Sequence, residues 1–408
     1  MFRFEEALDR VLALAAPPLP AEEVELEAAD GRVLAEDVVA PVDLPGFDYS
    51  AMDGYAVRVA DLPDPLPARL PVVGESKTGA LAAPLAAGTT MRIFTGAPIP
   101  AGADAVVMQE NVAREGEVAA FSARPRVGQH VRRRGEDLAR GATAITRGTR
   151  LRPAHLGLAA ACDRARVLVG RRPTVIVLAT GDELRAPGGE ARPGTIPESN
   201  TFALRAMARR AGALALARPY VPDDRAGTER AFAEALEEAD VVVTVGGVSV
   251  GDHDLVRPAL EAVGVTLELW RVAIKPGKPI AIGRKARAGR RDTLVVGLPG
   301  NPSSAMVTFG VFGVPLLRAL AGDARPVLPP VRARVTRAIA HEPGRLELVR
   351  ATLARDARGL VATPLANQAS GAPTSMAQAD GLLLVPQDSG PVPEGSELDV
   401  LPLGDLGG

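Results

Sequence analysis

Three apolar runs constrain this chain more than any other feature: Thr174-Val-Ile-Val-Leu178, Val241-Val-Val-Thr-Val245 and Thr293-Leu-Val-Val-Gly297. Each has the length of a strand and is rich in β-branched residues. Each also leads into a glycine-containing turn and a helical segment. A half-buried strand alternates polar and apolar residues; these do not alternate, so both faces are expected to be covered. The pattern predicts an α/β unit over 171–322 with a doubly wound, mostly parallel sheet, and such sheets take ligands at the C-terminal ends of their strands. A helix is expected over 200–212, and a further strand from Arg218 to Val221.

The texture around this unit differs. Phe4, Ala7, Leu8, Val11 and Leu12 recur at helical spacing until Pro17-Pro18 stops them. Residues 21–43 read as a helical or strand-like piece around Arg32-Val-Leu-Ala35. From 44 to 137, short apolar runs (69–73, 90–94, 105–108) alternate with Gly/Pro clusters, an all-β pattern. From about 325 this texture returns, with Gly381-Leu-Leu-Leu-Val385, and reads as a small C-terminal β-barrel. A chain of 408 residues is long enough for two or three domains.

Composition narrows the partners. A net charge of -2 gives no general reason to expect nucleic acid or an anionic membrane. The one cysteine, Cys162, excludes an intrachain disulfide and a cysteine-based metal site. No run approaches the roughly 18 uninterrupted apolar residues of a membrane span. The first apolar run follows Glu5, Glu6 and Asp9, unlike a secretory signal. A cytoplasmic protein is expected.

Four loops at strand ends carry residues suited to anions. In Thr244-Val-Gly-Gly-Val-Ser-Val-Gly-Asp-His-Asp254, Gly246 and Gly247 let backbone amides approach an oxyanion. Ser249 adds a donor and Gly251 freedom, and Asp252 and Asp254 suit a divalent cation beside phosphate. A tight turn with Asp252 as helix cap is the plainer alternative. In Leu298-Pro299-Gly300-Asn301-Pro302-Ser-Ser304, Asn301 caps a helix with Pro302 at its first position; Ser303, Ser304 and free amides would form an anion cradle. In Ile274-Lys-Pro-Gly-Lys-Pro279, Lys275 and Lys278 are two of only four lysines in the chain. An ammonium is a compact point charge suited to a small oxyanion, and Arg271 lies nearby. In Leu178-Ala-Thr-Gly-Asp-Glu-Leu184, Thr180 and Gly181 can bind phosphate or a base edge, and Asp182 or Glu183 a ribose hydroxyl or metal. Pro222-Asp223-Asp224 follows the next strand in the equivalent place. His253 suits a solvated helix start better than a catalytic base.

Seven ordered motifs resemble one family, the MoeA-type molybdopterin molybdenumtransferases, which includes the C-terminal catalytic domain of gephyrin. They are PGFDYSAMDGYAV (45–57), FTGAPIPAGADAVVMQE (94–110), RRRGED (132–137), ATGDEL (179–184), TVGGVSVGDHD (244–254), IKPGKP (274–279) and GLPGNPSSA (297–305). The resemblance implies a multidomain chain. Residues 1–20 and 171–322 would form the MogA-like α/β unit that binds molybdopterin nucleotide. Residues 21–43 and 138–170 would form a linking domain, 44–137 a β-rich domain closing the partner's site, and 323–408 the barrel. It also implies a homodimer that transfers molybdenum from molybdate to adenylylated molybdopterin, releases AMP and requires Mg²⁺.

By motif, Asp53, Thr95 and Asp137 would come from the partner subunit. Glu183, Asp223 and Asp254 would surround nucleotide and metal, with Glu183 and Asp254 as metal ligands. Lys275, Lys278, Ser304, Arg345 and Ser370 would hold molybdate. Further partners implied are a molybdopterin-adenylylating enzyme and molybdoenzymes or their chaperones. A non-catalytic pterin-binding scaffold is the alternative; it predicts loss of the acidic residues and lysines, and all are present. A nucleotide-dependent oxidoreductase would need Gly-x-Gly-x-x-Gly after the first strand, which Ala179-Thr-Gly-Asp-Glu does not provide.

Overall fold

The computed structural model describes residues 1–221, 224–247 and 255–404. A six-stranded sheet consists of β1 (Thr174–Ala179), β2 (Leu214–Leu216), β3 (Val241–Val245), β4 (Thr266–Arg271), β5 (Pro279–Lys285) and β6 (Thr293–Leu298). Their order is β2-β1-β3-β6-β5-β4. Strands β2, β1, β3 and β6 are parallel; β5 pairs antiparallel with β6, and β4 pairs antiparallel with β5 at the edge.

The three apolar runs are the central strands because both their faces are buried. Val175, Val177, Val243 and Val296 join a core with Ala7 and Val11 of α1 (Phe4–Leu14) and Leu204 and Met207 of α2 (Asn200–Arg210). Ile176, Val242 and Val295 face the other way, onto Phe232 and Leu236 of α3 (Arg225–Glu238) and Ala259 and Leu260 of α4 (Val256–Ala262). Each fully buried Val or Ile contributes on the order of 1.5–3 kcal/mol, so both faces of the sheet are held by apolar packing.

Two expected boundaries move. The strand placed at 218–221 is instead β2 at Leu214–Leu216, a short edge strand. Pro219 cannot donate to a ladder, and beyond β2 Val221 bridges back to Thr180. Helix α2 ends at Arg210 rather than 212, because Gly212 takes φ +98° just beyond it.

Among the described residues one helix, Pro302–Leu320, is long and apolar enough to cross a membrane, yet its most apolar window is 89% buried in the protein. It is therefore a core helix, and Phe4 of α1 packs against its Phe312 with ring centroids 5.4 Å apart. A π-helical stretch, Phe309–Gly313, interrupts it just before Pro315. A proline there lacks an amide and crowds the preceding turn, which the wider π turn accommodates.

Five strands close the C-terminal barrel: Val331–Val335, Leu346–Asp356, Gly359–Pro364, Gly381–Val385 and Glu397–Pro402. The short strand Ile274–Lys275, between β4 and β5, adds to it in parallel and pairs Ile274 with Leu346 and Lys275 with Glu347. The lysine loop thus belongs to two sheets at once.

Within 44–137, six strands between Gly54 and Phe121 form the expected β structure. In 21–43, Ala21–Glu25 is a strand paired with Arg166–Gly170, followed by a 3₁₀ turn, Leu26–Ala29. Gly170 ends that pair against the helix end: a Cβ there would come within 2.1 Å of the Ala321 carbonyl oxygen. Gly170→Ala should therefore lower stability by about 1–3 kcal/mol, the usual cost of overpacking. The check is a lower urea midpoint at unchanged slope; an unchanged midpoint would show that the junction yields freely.

Candidate active site

The parallel register sets the site's floor. Ala179 of β1 pairs with Val245 of β3, and Val245 pairs with Leu298 of β6, so three loops leave the sheet at one level. Gly246 takes φ +94°, and a Cβ on it would come within 3.0 Å of the Thr180 carbonyl oxygen. A Cβ on Gly300 would meet the Gly246 Cα at 3.5 Å. The glycines let three turns stack backbone on backbone.

That stacking corrects one expectation. The amides of Thr180, Gly181 and Gly246 are not open to an oxyanion: they donate to Val245, Val221 and Leu298 carbonyls, each at 3.2 Å. Gly300 and Asn301 donate to no backbone group among the described residues. They immediately precede Pro302, where the long helix begins, and a helix start favours negative charge. Gly247, with φ +59°, closes the described part of its loop. Ser249, Gly251, Asp252, His253 and Asp254 lie outside the described residues, as does Asp223. Its neighbour Asp224 caps α3 by accepting from the Gly227 amide.

Asn301 stands at the N-cap position, with Pro302 first in the helix, but its side chain caps nothing. Its Nδ2 donates instead to Ser370 Oγ at 3.0 Å. Asn200, at the start of α2, donates to the Gly300 carbonyl at 2.8 Å, and its Oδ1 is buried without a partner among the described residues.

The serines depart from the expected cradle. Ser303 and Ser304 are buried, and Ser303 donates to the Ala372 carbonyl at 2.8 Å. Ser303 thus ties down the segment carrying Ser370, whose carbonyl accepts its amide. The same segment is gripped from below by Arg350, 1% exposed, which donates to Gln368 Oε1 and the Ala369 carbonyl. Burial lowers the Arg350 pKa. Sequence patterns missed Asn200, Arg350 and Gln368 as site builders; the one signal was that asparagine is as scarce as lysine, with two of four, Asn200 and Asn301, here.

Lys275 projects beside the barrel, with its Nζ 2.8 Å from Glu347 Oε1. It lines a cleft of about 520 Å³ with Arg345, Glu342, His341 and Glu347. The structure therefore brings Arg345 to Lys275 although 70 residues separate them. Lys278 is exposed outside that cleft. Between the lysines, Gly277 has φ +108° and presses on the long helix, where a Cβ would lie 2.2 Å from Thr308 Oγ1.

Glu183 is exposed, and its carboxylate folds back over Gly181. Among the described residues no group of three His, Cys, Asp or Glu could hold a metal ion. Mg²⁺ commonly takes only one or two carboxylates, with phosphate and water completing its shell. Glu183 at a strand end fits that smaller requirement.

In the 44–137 region Asp53 accepts from the Thr95 amide at 2.7 Å and the Thr95 hydroxyl at 2.9 Å. Those two donors hold its carboxyl below the usual carboxylate range. Asp137 is exposed nearby in sequence to an arginine run whose members pair with Glu136, Asp48 and Asp43. That run is salt-bridged rather than freely solvated. Among the described residues, no hydrogen bond or ion pair joins this region to the α/β loops.

Comparison with known proteins finds relatives that span the whole chain. Three family models match in order: the MoeA N-terminal region (domain I and II) over 2–162, the probable molybdopterin binding domain over 176–319 and the MoeA C-terminal region (domain IV) over 332–403. The chain is 35% identical over 410 residues to a molybdopterin molybdenumtransferase of Haemophilus influenzae, covering 100% of both. It is 39% identical over 393 residues to molybdopterin molybdenumtransferase 2 of Mycobacterium tuberculosis, covering 92% of this chain and 94% of that one. The crystal structure of a molybdopterin biosynthesis MoeA protein from Pyrococcus horikoshii superposes with a TM-score of 0.84 at 28% identity, over 98% of this chain and 99% of that one. The chain belongs to the MoeA family, that of the molybdopterin molybdenumtransferases.

Proposed function

We propose that the chain transfers molybdenum from molybdate to adenylylated molybdopterin with release of AMP. The observation that carries this reading is the convergence at the C-terminal ends of the parallel strands. Stacked glycine turns and the start of the long helix lie there, tied through Ser370 to the barrel that carries the Lys275–Arg345 cleft. Molybdate is a dianion approaching a substrate that already bears phosphate, so local charge must offset the repulsion. The amides of Gly300 and Asn301 suit phosphate, while Lys275, Lys278 and Arg345 suit the oxyanion. Such fixed charges and dipoles need no reorganisation as the reaction proceeds. Asp53, held ionised by Thr95, serves as an acceptor rather than an acid.

The reading includes a homodimer in which Asp53, Thr95 and Asp137 of one subunit complete the partner's site. Mg²⁺ would be held by Glu183 together with Asp254, and when bound it would offset phosphate charge. The reaction is assigned to the cytoplasm, with substrate supplied by a molybdopterin-adenylylating enzyme and product passed to molybdoenzymes or their chaperones.

The pair Lys275→Ala and Lys278→Ala should keep affinity for the pterin nucleotide but lose about 10²-fold or more in insertion, as when a charge-stabilising donor is removed. Normal insertion by the double variant at limiting molybdate would sink the assignment. Glu183→Gln should weaken the Mg²⁺ dependence of AMP release, read as a higher Mg²⁺ concentration for half-maximal rate; an unmoved midpoint would exclude it as a ligand. If sites are shared, mixing Asp53→Ala and Lys275→Ala chains should restore activity through one intact site per heterodimer. No recovery, once subunit exchange is verified, would place the whole site in one chain.

A further inference from the structure

We infer that Glu347 and His341 are positioning residues that hold the Lys275 ammonium at the mouth of the oxyanion cleft. The inference rests on the role proposed above for Lys275. Parallel pairing sets Lys275 opposite Glu347, and Glu347 Oε1 accepts from Nζ at 2.8 Å. The other carboxylate oxygen, Oε2, lies 3.0 Å from His341 Nδ1. The two acceptors are thus each used by a different donor. Burial is graded along the chain of contacts: the His341 side chain is 2% exposed, Glu347 9% and Lys275 51%. Only the cation reaches solvent.

The histidine marks this as more than packing. A carboxylate only accepts, so the His341 proton on that side sits on Nδ1. The ring's other nitrogen, Nε2, is then a buried group with no partner among the described residues. Leaving such a group unsatisfied costs stability that an apolar side chain of similar size would not. The cost is explained if the ring fixes the Glu347 carboxylate, which in turn fixes an ammonium on a flexible four-carbon stem. An oxyanion entering the cleft meets Lys275 and Arg345 at its lining, while the Glu347 charge is already engaged by two donors. Such a chain acts through Lys275 alone.

The test is a double-mutant cycle read in steady-state insertion kinetics, with molybdate and adenylylated molybdopterin each varied in turn. Glu347→Gln keeps the volume but places a donor against one of two donors. It should raise the molybdate KM by roughly tenfold, within the range of coupling in one ion-pair network, and leave the pterin-nucleotide KM unchanged. In a Lys275→Ala background the same change should have no further effect. Multiplying effects in the double variant, or an unchanged molybdate KM beside a damaged Lys275→Ala, would overturn the positioning role alone. A silent Lys275→Ala would instead remove the lysine assignment, and the inference with it. Should Glu347→Gln fold too poorly to assay, His341→Leu is expected to raise the molybdate KM severalfold, with His341→Gln near wild type because its amide can still donate. Equal KM values for these two and the wild type would also overturn it.

Discussion

Everything at the site depends on one register. Because Ala179, Val245 and Leu298 are paired across three parallel strands, the turns after them begin at one level. A single slip would turn the buried face of a strand outward and separate the turns. The register is protected by two-sided burial, since neighbouring residues on β1 and β3 enter opposite cores. Core packing thereby sets where Thr180, Gly246 and Gly300 meet.

From that level the structure builds outward in two directions. Asn200 and Asn301 bridge from helix starts to the Gly300 carbonyl and to Ser370, joining the sheet to the barrel. The strand Ile274–Lys275 joins them a second time, by adding to the barrel strand that carries Glu347. Gly277 presses the same loop onto the long helix. The lysines are therefore placed by two sheets and a helix, which suits catalysis by positioning and fixed charge.

The fold was legible where burial imposes a pattern. The three apolar runs read directly as central strands, and helical spacing marked the helix Phe4–Leu14. The edge strand was misplaced because Leu214–Leu216 is short and half-exposed, so no burial pattern distinguishes it from Arg218 to Val221. The site was legible as loops but not as contacts. Glycine pairs suggested free amides, yet several of those amides extend the sheet. Ser303 and Ser304 read as donors to an anion; both are buried, and Ser303 donates to the Ala372 carbonyl. Arg350, His341 and Glu347 carry no local signal, because their contacts are set by how the barrel strands close and, for Glu347 with Lys275, by strand pairing between residues far apart in the chain. The family resemblance supplied the identity of the oxyanion, which no spacing of residues could.

The central claim is that the chain couples anion binding to chemistry rather than only holding a pterin. The direct measurement is single-turnover incubation of the purified protein with adenylylated molybdopterin, with and without molybdate, following AMP and pterin-bound molybdenum together. The account predicts that molybdate triggers AMP release with one molybdenum incorporated per AMP. Tight binding of the pterin nucleotide with no molybdate-dependent AMP release would contradict it and leave a scaffold.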